Sequence, residues 1–207
     1  MARDRDSRAE LVQTMARLLR EQGYTATGLA QLLSESGVSN GSLYHHFPGG
    51  LEEVAEAALE ASGRAVAEAL EEALADAPDA GHGVVRFLEI TEGPGGAECP
   101  GCPIAPTALE SPLLSPRLRA AAAHCFDEWQ GLIAARLRVD GWPEDSVDET
   151  ASAALSLVEG ALLLTRVSGR PEHLANARVA ALALLRTPGE RAARRSPGRR
   201  ARPSEPG

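Results

Sequence analysis

The chain reads as an all-α protein with a helix-turn-helix head and a larger helical body. Three observations lead there. Alanine and leucine dominate, aromatics are 3% of the residues and β-branched clusters are nearly absent, a composition that favours helix over strand. Apolar residues recur at i, i+3, i+4 spacing along most of the chain. Residues 27–47, TGLAQLLSESGVSNGSLYHHF, hold two short helical patterns separated by one turn signal.

Length and charge set the bounds. At 207 residues the chain can bury a substantial core. It has no run of about 18 apolar residues, so no membrane span is expected. The first residues, Arg3-Asp4-Arg5-Asp6, lack the apolar centre of a signal peptide. Three cysteines, an odd number, do not form a disulfide framework, and a reducing cytoplasm is the expected location. Net charge is −8, unevenly spread. Residues 1–50 balance five arginines against five acids. Residues 190–207 carry six arginines against two acids, which leaves −12 on the remainder. Lysine is absent. An acidic body does not itself attract nucleic acid, so phosphate contacts must come from the head or the basic tail.

The first helix is expected over 5–22, burying Leu11, Met15, Leu18 and Leu19, with Gly23 ending it. Thr27 is the expected N-cap of the second helix, placing a hydroxyl and free N–H groups where a phosphate could sit. Leu29, Leu32 and Leu33 share that helix's inner face. Gly37 suits the turn, and Ser39 caps a third helix ending near His46. Leu43 and Phe47, four apart, point inward, which leaves Asn40, Gly41, Ser42, Tyr44, His45 and His46 outside. An exposed helix start with small hydrogen-bonding groups suits a DNA major groove. From spacing alone, a surface helical hairpin fits as well.

Pro48-Gly49-Gly50 stops the third helix. A long helix follows over 51–75, apolar through Leu51, Val54, Ala58, Ala61 and Ala65 on one side and Leu59, Val66 and Leu70 on another. It should join head to body. Residues 76–83 read as a turn, and 84–91 as a helix turning Val85, Leu88 and Phe87 inward. Residues 92–101, EGPGGAECPG, are loop by composition. A short helix is expected over 103–111, and Ser115 with Pro116 opens another over 116–138. Gly141-Trp142-Pro143 breaks the chain. Helices over 144–167 and from Pro171 to about residue 185 present small residues beside leucines, a pattern for close packing against a second copy or for closing the core. Residues 188–207 have almost no apolar content and are expected to be disordered.

The segment GVSNGSLYHHFPGG (residues 37–50), preceded by GYTATGLAQLL (23–33), resembles the N-terminal signature of the TetR family of one-component transcriptional regulators. HHFPGG together with GCPIAPTALE (101–110) is similar to the drug- and flavonoid-responsive, LmrA/YxaF-like branch of repressors that often control efflux genes. The resemblance runs to about Arg186. It implies a DNA-binding domain at 1–50 and a ligand-binding and dimerisation domain at 51–187; the basic tail at 188–207 lies outside it. It further implies a homodimer built on the last two helices, a palindromic double-stranded DNA operator, and a small-molecule effector in the body. In that reading Thr27, Ser39, Tyr44 and His45 hold phosphates while Asn40, Gly41 and Ser42 face bases. Phe87, His124, Cys125, Phe126, Trp129, Leu162 and Arg166 are the candidate cavity lining, a few polar groups among apolar ones. The chain departs from the family where lysine is common before the recognition-helix glycine, here Asn40. It departs again at Gly28 and at Gly50-Leu51. Asparagine can instead read an adenine edge.

Two rival readings remain. Cys99-Pro100-Gly101-Cys102, with Cys125, His82 and His124 at hand, could make a thiol-redox or metal-responsive regulator, although no second ligand pair has structural-zinc spacing. A helical dimerisation module without DNA binding is the other. No nucleophile–base or paired-carboxylate signature points to an enzyme, and neither a cofactor nor a resident metal is implied.

Overall fold

The computed structural model describes residues 2–92 and 100–186, apart from the side chains of 2–5 and 111–114. Among the described residues there are nine helices and no strand. They are α1 Ala2–Gln22, α2 Leu29–Ser36, α3 Asn40–His46, α4 Leu51–Ala75, α5 Ala80–Thr91, α6 Ala105–Leu114, α7 Pro116–Val139, α8 Glu144–Ser168 and α9 Glu172–Leu184. Cys99 and the basic tail lie outside the described residues.

The head is α1–α3. Leu11, Met15, Leu18 and Leu19 of α1 are buried, as read from their spacing, and meet Leu32, Leu43 and Phe47. Arg8 lies over the Phe47 ring, 5.2 Å from its centroid, and covers the apolar face with a cation. The long α4 packs against α1, α5 and α7, so it belongs to head and body at once. Val54, Ala58, Leu59 and Leu70 are buried on it, whereas Ala65, expected inside, is exposed. The body continues with α7 against α6 and α8, and with α9 against α8 and α5.

The start of α5 and the end of α6 are among the boundaries that differ from the sequence reading. α5 begins at Ala80, inside the stretch read as a turn. Asp79 caps it, accepting the His82 N–H at 2.9 Å, and this cap outweighs the poor helix propensity of Gly81 and Gly83. Gly83 is needed there for another reason: a Cβ would come within 2.7 Å of Leu74. α6 runs on to Leu114, past the expected end.

By length and composition α8 is the one helix among the described residues long and apolar enough to cross a membrane, with a mean hydropathy of 1.3. It packs along α7 and α9 as a bundle helix does, and it carries Glu159 and Arg166. Ala154 and Leu162, part of the small-and-leucine pattern of α8, are turned into this chain's own core. Leu163, Leu164 and Val167 on α8, with Val179 and Leu182 on α9, are the exposed apolar side chains of the pair.

Candidate nucleic-acid interface and body cavity

The turn between α2 and α3 forms because Gly37 takes φ +66°, where its N–H donates to the Leu33 carbonyl at 3.1 Å. Ser39 then caps α3, its hydroxyl oxygen accepting the Ser42 N–H at 3.2 Å. Leu43 and Phe47 anchor α3 from beneath. Asn40, Gly41, Tyr44 and His45 are left exposed, with Ser42 half-buried among them. A Cβ on Gly41 would meet no atom of the chain within 4 Å, so nothing internal requires glycine there. Tyr44 lies against Gly50, where a Cβ would come within 3.3 Å of its ring.

Thr27 is placed otherwise than expected. The N-cap of α2 is Gly28, with no side-chain capping bond. Thr27 is buried, and its hydroxyl donates to the Gly23 carbonyl at 2.7 Å and accepts from Gln22 at 3.2 Å. Its N–H donates to Tyr24 at 3.0 Å. The threonine therefore locks the α1–α2 turn and has neither group left for a phosphate. Arg17 is also committed, bridging Glu21 and Glu35. Arg3 and Arg5 fall among the side chains not described.

Body residues hold the head at two places. Glu110 on α6 accepts the N–H groups of Tyr24 and Thr25 at 2.8 and 2.9 Å, and the Thr25 hydroxyl at 3.1 Å. Gly23, at φ +79°, sits so close beneath Glu110 that a side chain would collide with the carboxylate. Arg166 on α8 donates to the carbonyls of Arg20, Glu21 and Pro100, at 2.7, 3.3 and 3.2 Å. Charge-assisted bonds of this kind are about twice as strong as neutral ones.

Inside the body, α4, α5, α7 and α8 enclose an apolar cavity of ≈ 40 Å³. Phe87, Trp129 and Leu162 line it, three of the seven residues expected to do so. The other four do not. His124 is exposed on α7, whose inward stripe runs instead through Cys125 and Trp129. Cys125 faces α4, its Sγ 3.8 Å from the Leu59 carbonyl and packed onto Gly63. Phe126 supports Trp129 edge-on from outside, with ring centroids 5.2 Å apart. Arg166 lines a second, outer cavity of ≈ 310 Å³ between α1, α6 and α8. The two cavities share Gly101, Cys102 and Glu159. Trp129 donates its indole N–H to the Gly63 carbonyl at 3.0 Å, so only its apolar surface faces the cavity.

The sequence reading passed over Glu159. Burial pushes its carboxyl above the usual carboxylate range, and the Cys102 thiol beside it is its hydrogen-bond donor. A helical stripe on α8 signals the position: Leu155, Glu159, Leu162 and Arg166 follow at 4, 3 and 4 residues. Burial raises the Cys102 thiol further, with Glu159 adding to the effect, and pushes the Cys125 thiol up to about 11. Thiols so raised are poor nucleophiles and ligands, which counts against a thiol sensor built on them. Among the described residues no group of His, Cys, Asp and Glu has metal-binding geometry.

Residues 11–58 match the family model described as bacterial regulatory proteins, tetR family. Residues 95–180 match that of the transcriptional regulator LmrA/YxaF-like C-terminal domain. The chain is 32% identical over 162 residues to the HTH-type transcriptional regulator YxaF of Bacillus subtilis, covering 77% of this chain and 85% of that one. It is 32% identical over 167 residues to the HTH-type transcriptional regulator LmrA of the same organism, covering 77% and 86%. In fold it matches the crystal structure of reduced NemR from E. coli, with a TM-score of 0.77 over 88% of this chain and 98% of that one, at 24% identity. With its helix-turn-helix head and helical body, the chain belongs to the TetR family of bacterial regulators: it is a DNA-binding transcriptional regulator with an LmrA/YxaF-like C-terminal domain, and not an enzyme.

Proposed function

We propose that the protein is a cytoplasmic, homodimeric repressor that a small, largely apolar effector releases from a palindromic operator. The observation that carries this reading is the apolar cavity against α4, the helix whose N-cap, Gly50, lies beside Tyr44. At ≈ 40 Å³ the inner space holds no more than a few waters. An organic molecule must therefore part α4, α7 and α8 to occupy it, and parting them moves the helix on which the head is mounted. Effector and operator then favour different placements of the head, which is the coupling that release requires. Ser39, Tyr44 and His45 hold phosphates; Asn40, Gly41 and Ser42 face base edges, Gly41 by leaving room for close approach. Thr27 drops out of the contact set. The dimer forms through Leu164 on α8 and the adjoining face of α9, away from the side chains that line the outer cavity.

The test is selection of bound fragments from genomic DNA by the purified protein, followed by release of those fragments with a panel of aromatic compounds. Trp129→Phe keeps an apolar ring and loses the bond to Gly63. It should retain operator binding while effector affinity changes several-fold. A protein that selects no fragment, or releases its fragment with no compound that binds the body, is not a ligand-responsive repressor.

A further inference from the structure

We infer that the effector is a hydrophobic amine, entering between α1, α6 and α8 and anchored by the Glu159 carboxylate at the junction of the two cavities. This rests on the ligand-responsive reading above and deepens it.

The outer cavity supplies the entry. Its ≈ 310 Å³ reaches the lower end of small-molecule sites, roughly 300–1,000 Å³, whereas the inner space does not. Three exposed large apolar side chains line it: Leu109 at 72%, Leu163 at 50% and Val167 at 78%. An apolar body can slide over them toward Val158 and Leu162.

Glu159 supplies the polar selection. Thr91 and Trp129, the inner cavity's other hydrogen-bonding side chains besides Cys102, already donate to the carbonyls of Leu88 and Gly63. Arg166, two turns along the same face, is the cation nearest in register, yet it spends its guanidinium on three backbone carbonyls. Among the described residues no cation pairs with Glu159, and its one hydrogen-bond donor is a thiol, which is weak. A carboxylate desolvated without a counter-charge is costly, so a ligand that brings a cation and strong N–H donors recovers what a neutral molecule cannot. The chain's net charge of −8 also favours approach of a cation.

A matched fluorescent pair tests this: 2-naphthylmethylamine, cationic at neutral pH, and neutral 2-naphthalenemethanol, titrated calorimetrically into the full chain. The amine should bind about tenfold more tightly or better, as expected for one charge-assisted contact. Glu159→Gln should bring the amine down to the level of the alcohol and leave the alcohol unchanged. Glu159→Met, should the glutamine variant not fold, should do the same. Glu149→Gln, on the exposed face of α8, should keep the preference, which separates a local anchor from the general field. Equal binding of the two compounds to the unaltered protein overturns the inference while leaving an apolar effector site standing. A preference that survives in the Glu159 variants overturns it too. Binding of neither compound overturns it, and operator release by other aromatics then decides the broader reading separately.

Discussion

The Glu110 carboxylate accepts the backbone N–H of Tyr24 at 2.8 Å, joining the body helix α6 to the α1–α2 turn across 86 residues of sequence. The same oxygen takes the Thr25 N–H, so one acidic side chain orients the entrance to the helix-turn-helix. Glu110→Ala should cost about 1.5–3 kcal/mol, the range for hydrogen bonds to a charged group, in denaturant unfolding. Amide exchange at Tyr24 and Thr25 should quicken well before that of α4. A variant of unchanged stability with unchanged exchange would mean that the turn holds itself.

Tyr44 and Thr27 should now behave differently, although the sequence reading grouped them. Tyr44→Phe removes one exposed hydroxyl and should weaken binding to every DNA sequence alike, with the melting temperature unchanged. Thr27→Val leaves the Gly23 carbonyl without its hydroxyl donor, while Gln22 keeps its bonds to Ala26 and Gln31. It should destabilise the head by about 1–2 kcal/mol and affect DNA only through folding. Operator affinities and melting curves on both variants distinguish the roles. An operator defect in a fully stable Thr27→Val protein would return Thr27 to the contact surface.

Dimerisation should be sensitive at Leu164 and insensitive in kind at Ala154. Leu164 is 52% exposed beside the groove between α8 and α9, so Leu164→Arg should give folded monomers in sedimentation. Ala154 is fully buried within the chain, and Ala154→Arg should unfold it instead. A folded dimer of Leu164→Arg would move the interface elsewhere.

Glu159 should leave a mark on stability as pH changes. Its folded carboxyl titrates above the ordinary 4.5, so the native state keeps a proton that the unfolded state gives up. Its contribution therefore becomes less favourable as pH rises from about the unfolded value through the raised folded one, and is constant beyond. The melting temperature of the unaltered protein minus that of Glu159→Gln should fall across that window. A flat difference would mean that the carboxyl is well solvated.

Much of the fold was legible in the sequence because helices are written locally. The α1 stripe of Leu11, Met15, Leu18 and Leu19 needs only a period of 3.6, and Ser39 capping α3 needs only neighbours three residues apart. The exposed set Asn40, Gly41, Tyr44 and His45 followed from the same arithmetic, once Leu43 and Phe47 were turned inward. Local patterns also state that α8 and α9 bear apolar faces.

Which face meets which partner was decided only by the tertiary structure. Thr27 looks like a cap from its position. The approach of Gly23 and Gln22 around a left-handed turn draws its hydroxyl inside instead. Ala154 and Leu162 carry the same small-and-leucine signature as an interface, and the packing of α7 onto α8 claims them for the core. On α7 the cluster His124, Cys125, Phe126 and Trp129 suggested one lining, yet the helix turns Cys125 and Trp129 inward, leaves His124 exposed and Phe126 half-buried, and sets Cys125 against α4. Only Trp129 points at the space left between four helices. Glu159 and Glu110 are ordinary surface acids by composition. Their roles arise from groups 57 and 86 positions away, Cys102 and Tyr24, which no local period can connect, because a contact between distant segments exists only once the chain has folded.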